Sequence, residues 1–193
     1  MNTGDWVSPW FEAACLPDRW DVAGIEVDAL TIWHTFALER GGNRFIVGGD
    51  PPDRDDAASL LIVAERNHAA GRRLMLDDRY RGKAQSRMHN RIKGIEWMPL
   101  LSACYDYTGA CLRTLDRFAG DGSPAAVPYQ FHILRVICAE WGYTMPAAWD
   151  VPYSLARHYY DASAEAAGDK KLMSEDVQHI TDTWPAEAQE EAS

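Results

Sequence analysis

Apolar residues recur at helical spacing along most of this chain, and this periodicity constrains the fold more than any other feature. The longest example follows Pro99 and keeps one apolar face over about five turns. Its members are Leu100, Leu101, Cys104, Tyr105, Thr108, Cys111, Leu112, Leu115 and Phe118. Because proline suits the first turn of a helix, the pattern predicts a long amphipathic helix that begins there.

A second apolar segment, residues 129–141, predicts a central helix because apolar side chains lie on most of its sides. Gly142 supplies the stop. Thr144 with Pro146, a cap followed by a first-turn proline, then predicts a short helix, and residues 153–167 predict another. This part of the chain holds its densest concentration of aromatic and helix-forming residues.

The first half of the chain predicts two further helices. Thr31 can cap a helix that Gly41 and Gly42 end, since glycine adopts the left-handed conformation that other residues resist. Asp53 or Asp55 can cap the next helix, which we expect Gly71 to end. The glycines and prolines of residues 44–53 predict a loop between the two helices.

Three other segments depart from the main helical pattern. Residues 20–30 alternate apolar and polar side chains around Gly24, which predicts two short strands joined by a tight turn. Residues 120–124 predict a linker, and Ser174 begins a last short helix. Beyond Pro185 the chain is acidic and poor in apolar residues, which is typical of disorder.

The sequence therefore predicts a mainly α protein. We expect a single helical domain of about six helices with a small N-terminal β-hairpin and a disordered acidic C-terminal tail. The predicted divisions are an aromatic arm at residues 1–19, the helical domain at 20–184 and the tail at 185–193. A chain of 193 residues with 47% hydrophobic residues is long enough to bury one real core.

Charge is distributed unevenly along the chain. Residues 72–93 contain eight basic residues and two aspartates, a net of +6 that leaves −16 for the rest of a chain whose total is −10. The basic residues of this segment are Arg72, Arg73, Arg79, Arg81, Lys83, Arg87, Arg91 and Lys93. We name these eight residues the basic segment, and we expect any local function to reside there.

Four of these basic residues, Arg79, Lys83, Arg87 and Arg91, are spaced four apart and on a helix would form a basic ridge. Like charges at that spacing repel by a few tenths of a kcal/mol per pair, roughly 0.2–0.5. A solvated helix face, an acidic protein partner, another copy's acidic C-terminal segment or a nucleic acid could each accommodate the ridge. The acidic total disfavours nucleic acid, because phosphates would be repelled on approach.

A metal site is the alternative interpretation from another functional class. Glu65 and His68 have the i, i+3 spacing of helical metal sites, and Asp176 and His179 repeat it. Two more inward carboxylates would be needed, for which Glu39 and Glu140 are the candidates. Such acid–histidine pairs also arise on ordinary solvated helix faces, so we expect no metal and no cofactor.

Nucleophilic catalysis finds little support in the sequence. Cys104 or Cys111 could pair with His132, and Ser154 with His158, but no strand–turn–helix elbow surrounds them. The two cysteines lie on the apolar face of the longest predicted helix, which favours inert buried thiols in a reduced compartment. We expect a protein that is not an enzyme.

The N-terminal residues lack a basic region followed by an apolar one, and no apolar run reaches the roughly 20 residues that a membrane span needs. The sequence therefore predicts a cytoplasmic protein without membrane contact.

Two stretches resemble the tail-assembly-chaperone-like proteins of tailed bacteriophages and prophages. The first, residues 27–39, is similar to a short strand, a Leu-Thr pair and an amphipathic helix that open such proteins. The second lies within residues 129–176, whose Pro-x-x-x-Ala, Glu-Ala-x-Gly-x and Met-Ser-Glu-Asp runs resemble their C-terminal segments. The basic segment and the aromatic arm have no counterpart in the resemblance.

The resemblance implies a non-enzymatic morphogenesis factor in the host cytoplasm. Such a factor would assist tail assembly by binding a tail structural protein, the tape measure or the tail tube, and could associate with itself. A nucleic-acid-linked phage protein that acts through residues 72–93 is a further alternative, for which salt-dependent binding would be diagnostic.

Overall fold

The computed structural model describes residues 9–17, 19–113, 128–168 and residue 179. The predicted linker at residues 120–124, the helix beginning at Ser174 and the acidic tail at 185–193 lie outside the described residues. The divisions between arm, domain and tail therefore stay predictions.

The described residues form a mainly helical protein with one two-stranded sheet, as the sequence predicts. The strands are β1 (Arg19–Val22) and β2 (Ile25–Asp28). The first five helices are α1 (Pro9–Ala14), α2 (Ile32–Arg40), α3 (Arg44–Val47), α4 (Arg54–Ala64) and α5 (His68–Leu76). The other five are α6 (Asp78–Ile92), α7 (Trp97–Leu112), α8 (Tyr129–Glu140), α9 (Met145–Trp149) and α10 (Tyr153–Ala166).

The predicted β-hairpin is confirmed, and its turn explains its short connection. Ala23 and Gly24 both have positive φ, 53° and 83°, which two-residue turns of this hand require. The strands pair antiparallel, and Ile25 and Val27 are buried while Glu26 between them is exposed. The hairpin packs on α7, where Tyr107 is fully buried and donates a 2.5 Å hydrogen bond to the Asp28 carbonyl.

Two clusters of buried apolar side chains hold the helices together. The first joins the hairpin to α3, α4, α6 and α7 through residues such as Leu61, Met88 and Leu100. The second joins α2 to α8, α9 and α10 and includes Ile133 and Ile137. Val63 of α4 packs against both clusters, so the two apolar cores adjoin at this side chain.

A backbone connection fixes the start of α10 beside the start of α2. Tyr153 donates to the Leu30 carbonyl at 2.8 Å, and Ile32 donates to the Val151 carbonyl at 3.1 Å. These bonds satisfy backbone groups that would otherwise be unpaired where two helices begin. The second half of the chain is thereby tied to the residues next to the hairpin.

The prediction of about six helices was too low, because the described residues alone contain ten. One of the additional helices, α3, lies in the predicted loop at residues 44–53. Its cap is Asn43, whose side chain accepts from the Phe45 amide at 3.1 Å, and Phe45 is buried against α7 by contact with Tyr105. A single buried aromatic side chain and a cap suffice for so short a helix, and neither gives a periodic signal.

The predicted helix from Asp53 to Gly71 is two helices. Its start is confirmed, since Asp53 accepts from two first-turn amides, but α4 ends at Ala64. Asn67 then caps α5 by accepting from the Ala70 amide at 3.0 Å. Gly71 is buried inside α5 and does not end a helix.

Candidate protein-binding face

Seven of the eight residues of the basic segment lie in helices. Arg72 and Arg73 lie on α5, the next five basic residues lie on α6, and Lys93 follows its last turn. All eight side chains belong to exposed residues. The ridge predicted from the four-residue spacing is therefore present on one helix.

Side chains from distant parts of the chain position α5. Asp150, just after α9, accepts a hydrogen bond from the His68 backbone amide at 2.7 Å. A carboxylate at a helix N-terminus satisfies a free amide and favours the helix dipole. This contact ties the first turn of α5 to the end of α9.

Both ends of α6 are fixed as well. Asp77 caps its N-terminus by accepting from the Tyr80 amide at 2.9 Å. At the other end, the Arg54 guanidinium donates to the carbonyl of Ile92, in the last turn of α6, at 3.1 Å and to the carbonyl of Ile95, just beyond the helix, at 2.9 Å. Along its length α6 buries Ala84, Met88 and Ile92 in the first core cluster.

Three of the eight basic side chains have carboxylate partners. Arg73 Nε lies 3.6 Å from Asp77 Oδ2, and the Arg73 guanidinium also lies 4.6 Å from the centre of the Tyr80 ring. Arg81 pairs with Asp78, and Arg91 pairs with Glu65. Exposed pairs of this kind contribute little stability but they neutralise charge locally.

The other five basic side chains have no carboxylate partner among the described residues: Arg72, Arg79, Lys83, Arg87 and Lys93. Three of them, Arg79, Lys83 and Arg87, are consecutive members of the ridge. At about 1.5 Å rise per residue, neighbours among them lie about 6 Å apart along α6, which is within the screening length of about 8–10 Å at physiological salt. The result is a concentrated positive surface on an acidic protein.

The described residues do not bring together the ligands that the alternative metal-site interpretation requires. Glu65 is the C-cap of α4 and His68 is the first residue of α5, so the two do not share a helix face. Glu65 instead contacts Arg91 and Arg66, while the His68 ring stacks on Trp149 with centroids 5.5 Å apart. No group of three potential ligands occurs in the described part of the chain, and Asp176 lies outside it.

The remaining carboxylate and histidine candidates have other contacts. Glu39 accepts a hydrogen bond from the Gln130 side chain at 2.5 Å, and Glu140 accepts from the Ser163 hydroxyl at 2.6 Å. The pKa of His68 lies below its ordinary value because burial disfavours the imidazolium, although Asp150 opposes this and Arg72 adds to it. His179 is described only as a helical residue of intermediate exposure.

The cysteines proposed as nucleophiles are core thiols. Burial raises the pKa of Cys104 to about 12 and that of Cys111 to about 11, far above the range of an activated thiolate. Cys111 Sγ accepts a 3.5 Å hydrogen bond from the Leu30 amide. His158 Nδ1 lies 3.0 Å from the backbone carbonyl oxygen of Ser154. This contact does not involve the Ser154 hydroxyl and therefore does not activate it.

Sequence reasoning missed the residues that position the basic segment. Asp150 and Arg54 carry no local signal of this role, because each acts on a helix that is distant in sequence. No local pattern marks such a residue, although an aspartate beside a helix end is a weak signal.

Within the described part of the chain, no helix combines the length and apolar character that crossing a membrane requires. Comparison with protein-family models, with curated proteins and with solved structures finds no match for this chain.

Proposed function

We propose that this protein is a non-enzymatic assembly factor that binds another protein through the basic ridge. One observation carries the proposal. Arg79, Lys83 and Arg87 are exposed on successive turns of α6, and none has a carboxylate partner among the described residues. The chain that carries them has a net charge of −10.

Repulsion within the ridge favours a protein partner over a purely solvated face. Each i, i+4 pair of like charges destabilises the helix by roughly 0.2–0.5 kcal/mol. Carboxylates placed nearby do pair with basic residues of this segment, as Asp77 does with Arg73 and Asp78 with Arg81. Arg79, Lys83 and Arg87 have no such compensation among the described residues, and an acidic protein surface would supply it on binding.

The resemblance to tail-assembly-chaperone-like proteins suggests the kind of partner. We infer a tail structural protein of a bacteriophage or prophage, either the tape measure or the tail tube, bound in the host cytoplasm before tail assembly is complete. The support for this partner is the similarity of residues 27–39 and of the runs within residues 129–176. Self-association is compatible with the same role.

Co-purification tests the proposal. The full-length protein, tagged and co-expressed with each tape-measure and tail-tube protein encoded beside its gene, is expected to retain one of them. The triple variant Arg79→Glu, Lys83→Glu and Arg87→Glu should weaken that retention by about tenfold or more, because each reversal removes an attraction and adds a repulsion. Arg135→Glu is the control, since Arg135 is an exposed basic residue of α8 and lies on another helix.

Capture of none of these proteins, or equal capture by the triple variant, would contradict the proposal. Binding to a random-sequence DNA duplex, measured between 50 and 200 mM salt, separates the nucleic-acid alternative. A DNA affinity that falls by orders of magnitude over that range, and that the triple variant abolishes, would assign the ridge to nucleic acid.

A further inference from the structure

A second surface next to the basic segment has different chemistry. An apolar groove of about 370 Å³ lies between α2, α4, α5 and α6. Its floor consists of aliphatic side chains from three of these helices: Ala37, Leu38, Ile62, Val63 and Leu74. A volume of this size falls within the range of protein ligand sites, roughly 300–1,000 Å³.

The groove lies on the opposite flank of α6 from the basic ridge. Arg81 and Gln85 line the groove from α6, and helical geometry places them about 200° around the helix from Arg79 and Lys83, respectively. The buried stripe of α6 separates the two flanks. The groove is therefore a surface distinct from the ridge.

The rim of the groove is positively charged. Arg40, the last residue of α2, is exposed and has no side-chain partner in the described part of the chain. Arg81 is held in place by Asp78 and by the Leu74 carbonyl, 3.4 Å from its guanidinium. An arginine has five N–H donors, so both side chains keep donors free for a ligand. Among the residues that the structure describes, no aspartate or glutamate lines the groove.

The exposed part of the rim is apolar and adaptable. Met75 lines the groove with 42% of its surface exposed, and the adjoining Leu76 is 79% exposed without lining it. Arginine and methionine are enriched at protein interfaces, and the flexible methionine side chain adjusts to different partners. The rim therefore combines two guanidinium groups with a deformable apolar edge.

We infer that the apolar groove binds a short segment of a partner protein in which an apolar side chain is flanked by aspartate or glutamate. The apolar side chain would contact the aliphatic floor, and the carboxylates would pair with Arg40 and Arg81 in the bidentate geometry that guanidinium groups favour. A partner segment with lysine or arginine in place of the carboxylates would be repelled by both guanidinium groups. A partner segment without an apolar side chain would leave the aliphatic floor of the groove exposed to water. The inference rests on the proposed protein-binding function.

Selection from a random library of 12-residue peptides identifies the preferred segment without assuming a partner. The full-length protein is immobilised, and the library is depleted first on the double variant Arg40→Glu, Met75→Asp. The enriched peptides are expected to share an apolar residue next to aspartate or glutamate. One of them, labelled with fluorescein, is then titrated with the protein and its anisotropy is measured.

Arg40→Glu and Met75→Asp should each weaken the dissociation constant of that peptide about tenfold or more. Leu76→Asp and Lys93→Glu are matched controls, because both residues are exposed nearby and neither lines the groove. The controls should change the dissociation constant less than twofold. Circular dichroism melts of all four variants show whether each remains folded at the titration temperature.

Failure to enrich any peptide, enrichment of basic or uncharged peptides, or equal binding by the groove variants would overturn the inference. Displacement of the peptide by sodium laurate at stoichiometric concentration would assign the groove to a small amphiphile instead. Self-association that Arg40→Glu abolishes, measured by sedimentation, would assign it to a second copy of this chain. Either result would also overturn it.

The two proposals can fail separately. The triple ridge variant leaves every groove residue unchanged, so it should bind the selected peptide like the wild type. Loss of tail-protein capture with retained peptide binding would contradict the proposed function alone. Retained capture with equal peptide binding by the groove variants would contradict the groove alone.

Discussion

The indole of Trp33 lies directly against the α-carbon of Gly71. A Cβ atom at Gly71 would come within 2.7 Å of Cε2 and 2.9 Å of Cζ2 of that indole, and closer still to Nε1. Trp33 is 5% exposed and lies in α2, while Gly71 lies in α5. The glycine therefore allows the two helices to approach closely, and its role is packing.

Gly71→Ala should lower the free energy of unfolding by about 1–2 kcal/mol. Overpacking costs roughly 1–3 kcal/mol, and the better helix propensity of alanine returns up to about 1 kcal/mol. Urea denaturation followed by circular dichroism measures the difference.

Gly82→Ala is the matched control for that substitution, because Gly82 is exposed in α6 and a Cβ there meets nothing within 4 Å. It should raise the free energy of unfolding by about 0.5–1 kcal/mol. A Gly71→Ala protein as stable as Gly82→Ala would contradict the packing role.

Tyr107→Phe should destabilise the attachment of the β-hairpin. The Tyr107 hydroxyl donates to the Asp28 carbonyl at 2.5 Å, and burial raises the pKa of this side chain far above its ordinary value, so the group stays protonated. Removing the donor should cost about 1–3 kcal/mol of unfolding free energy. Tyr105→Phe, at a side chain 48% exposed, should change it by less than about 0.5 kcal/mol in the same assay.

His34 is held as the neutral imidazole by two hydrogen bonds of opposite sense. Its Nδ1 accepts from the Thr31 backbone amide at 3.1 Å, which leaves the proton on Nε2, and Nε2 donates to the Arg66 carbonyl at 2.5 Å. Protonation of Nδ1 would break the first bond. The pKa of His34 is accordingly below 6.5, chiefly because burial disfavours the charged ring, while Arg66, Ala29, Asp28 and Asp150 oppose the shift.

The stability that His34 contributes should be complete above pH 6.5 and decline as the pH falls below it. In the unfolded chain His34 takes up a proton near pH 6.5, whereas in the folded protein it takes up that proton only at a lower pH. His68, whose pKa is also lowered, adds a contribution of the same sign. We expect the free energy of unfolding of the wild type to fall more steeply between pH 7 and 5 than that of His34→Gln.

Glutamine keeps a neutral donor and acceptor at position 34 without a titrating group, so the comparison uses slopes and not absolute stabilities. Urea unfolding at half-unit pH intervals gives both slopes. If the free energy of unfolding changed with pH in the same way for both proteins, His34 would have the same pKa in the folded and unfolded chain. That result would contradict the role given to its two hydrogen bonds.

Thiol labelling should divide the four cysteines into three classes. Cys15 is exposed and should react with a disulfide reagent at pH 8 within the time expected of a free thiol, whereas the half-buried Cys138 should react more slowly. Cys104 and Cys111, with pKa values raised to about 12 and about 11, should react only on unfolding. Mass spectrometry of labelled peptides, with a urea-unfolded control, assigns each site; rapid native labelling of Cys104 would contradict its burial.

The helices that combine a cap with apolar periodicity were predictable. Thr31 caps α2, Asp53 caps α4, and Pro146 lies in the first turn of α9, as expected from the local sequence. These signals act within one or two turns, so a short window of sequence contains the physical information that they need.

The break between α4 and α5 was not predictable in this way. Gly71 resembles a helix stop, but it lies inside α5 because Trp33 occupies the space that a side chain would need. Asn67 caps α5, and the Asp150 carboxylate that joins it at this helix end is 82 residues from His68. Each of these facts depends on which helices meet.

Local signals sufficed for the hairpin turn at Gly24, the starts of α2, α4 and α9 and the spacing of the basic ridge, because capping, turn chemistry and periodicity act over a few residues. Which charges find partners depends on how the helices pack. Arg91 of α6 pairs with Glu65 at the C-terminus of α4. Arg87, one turn earlier on α6, has no carboxylate partner among the described residues. Arg91 has a partner because α6 packs on α4. This packing is stabilised by apolar surface buried across the whole core, so no single stretch of the sequence specifies it.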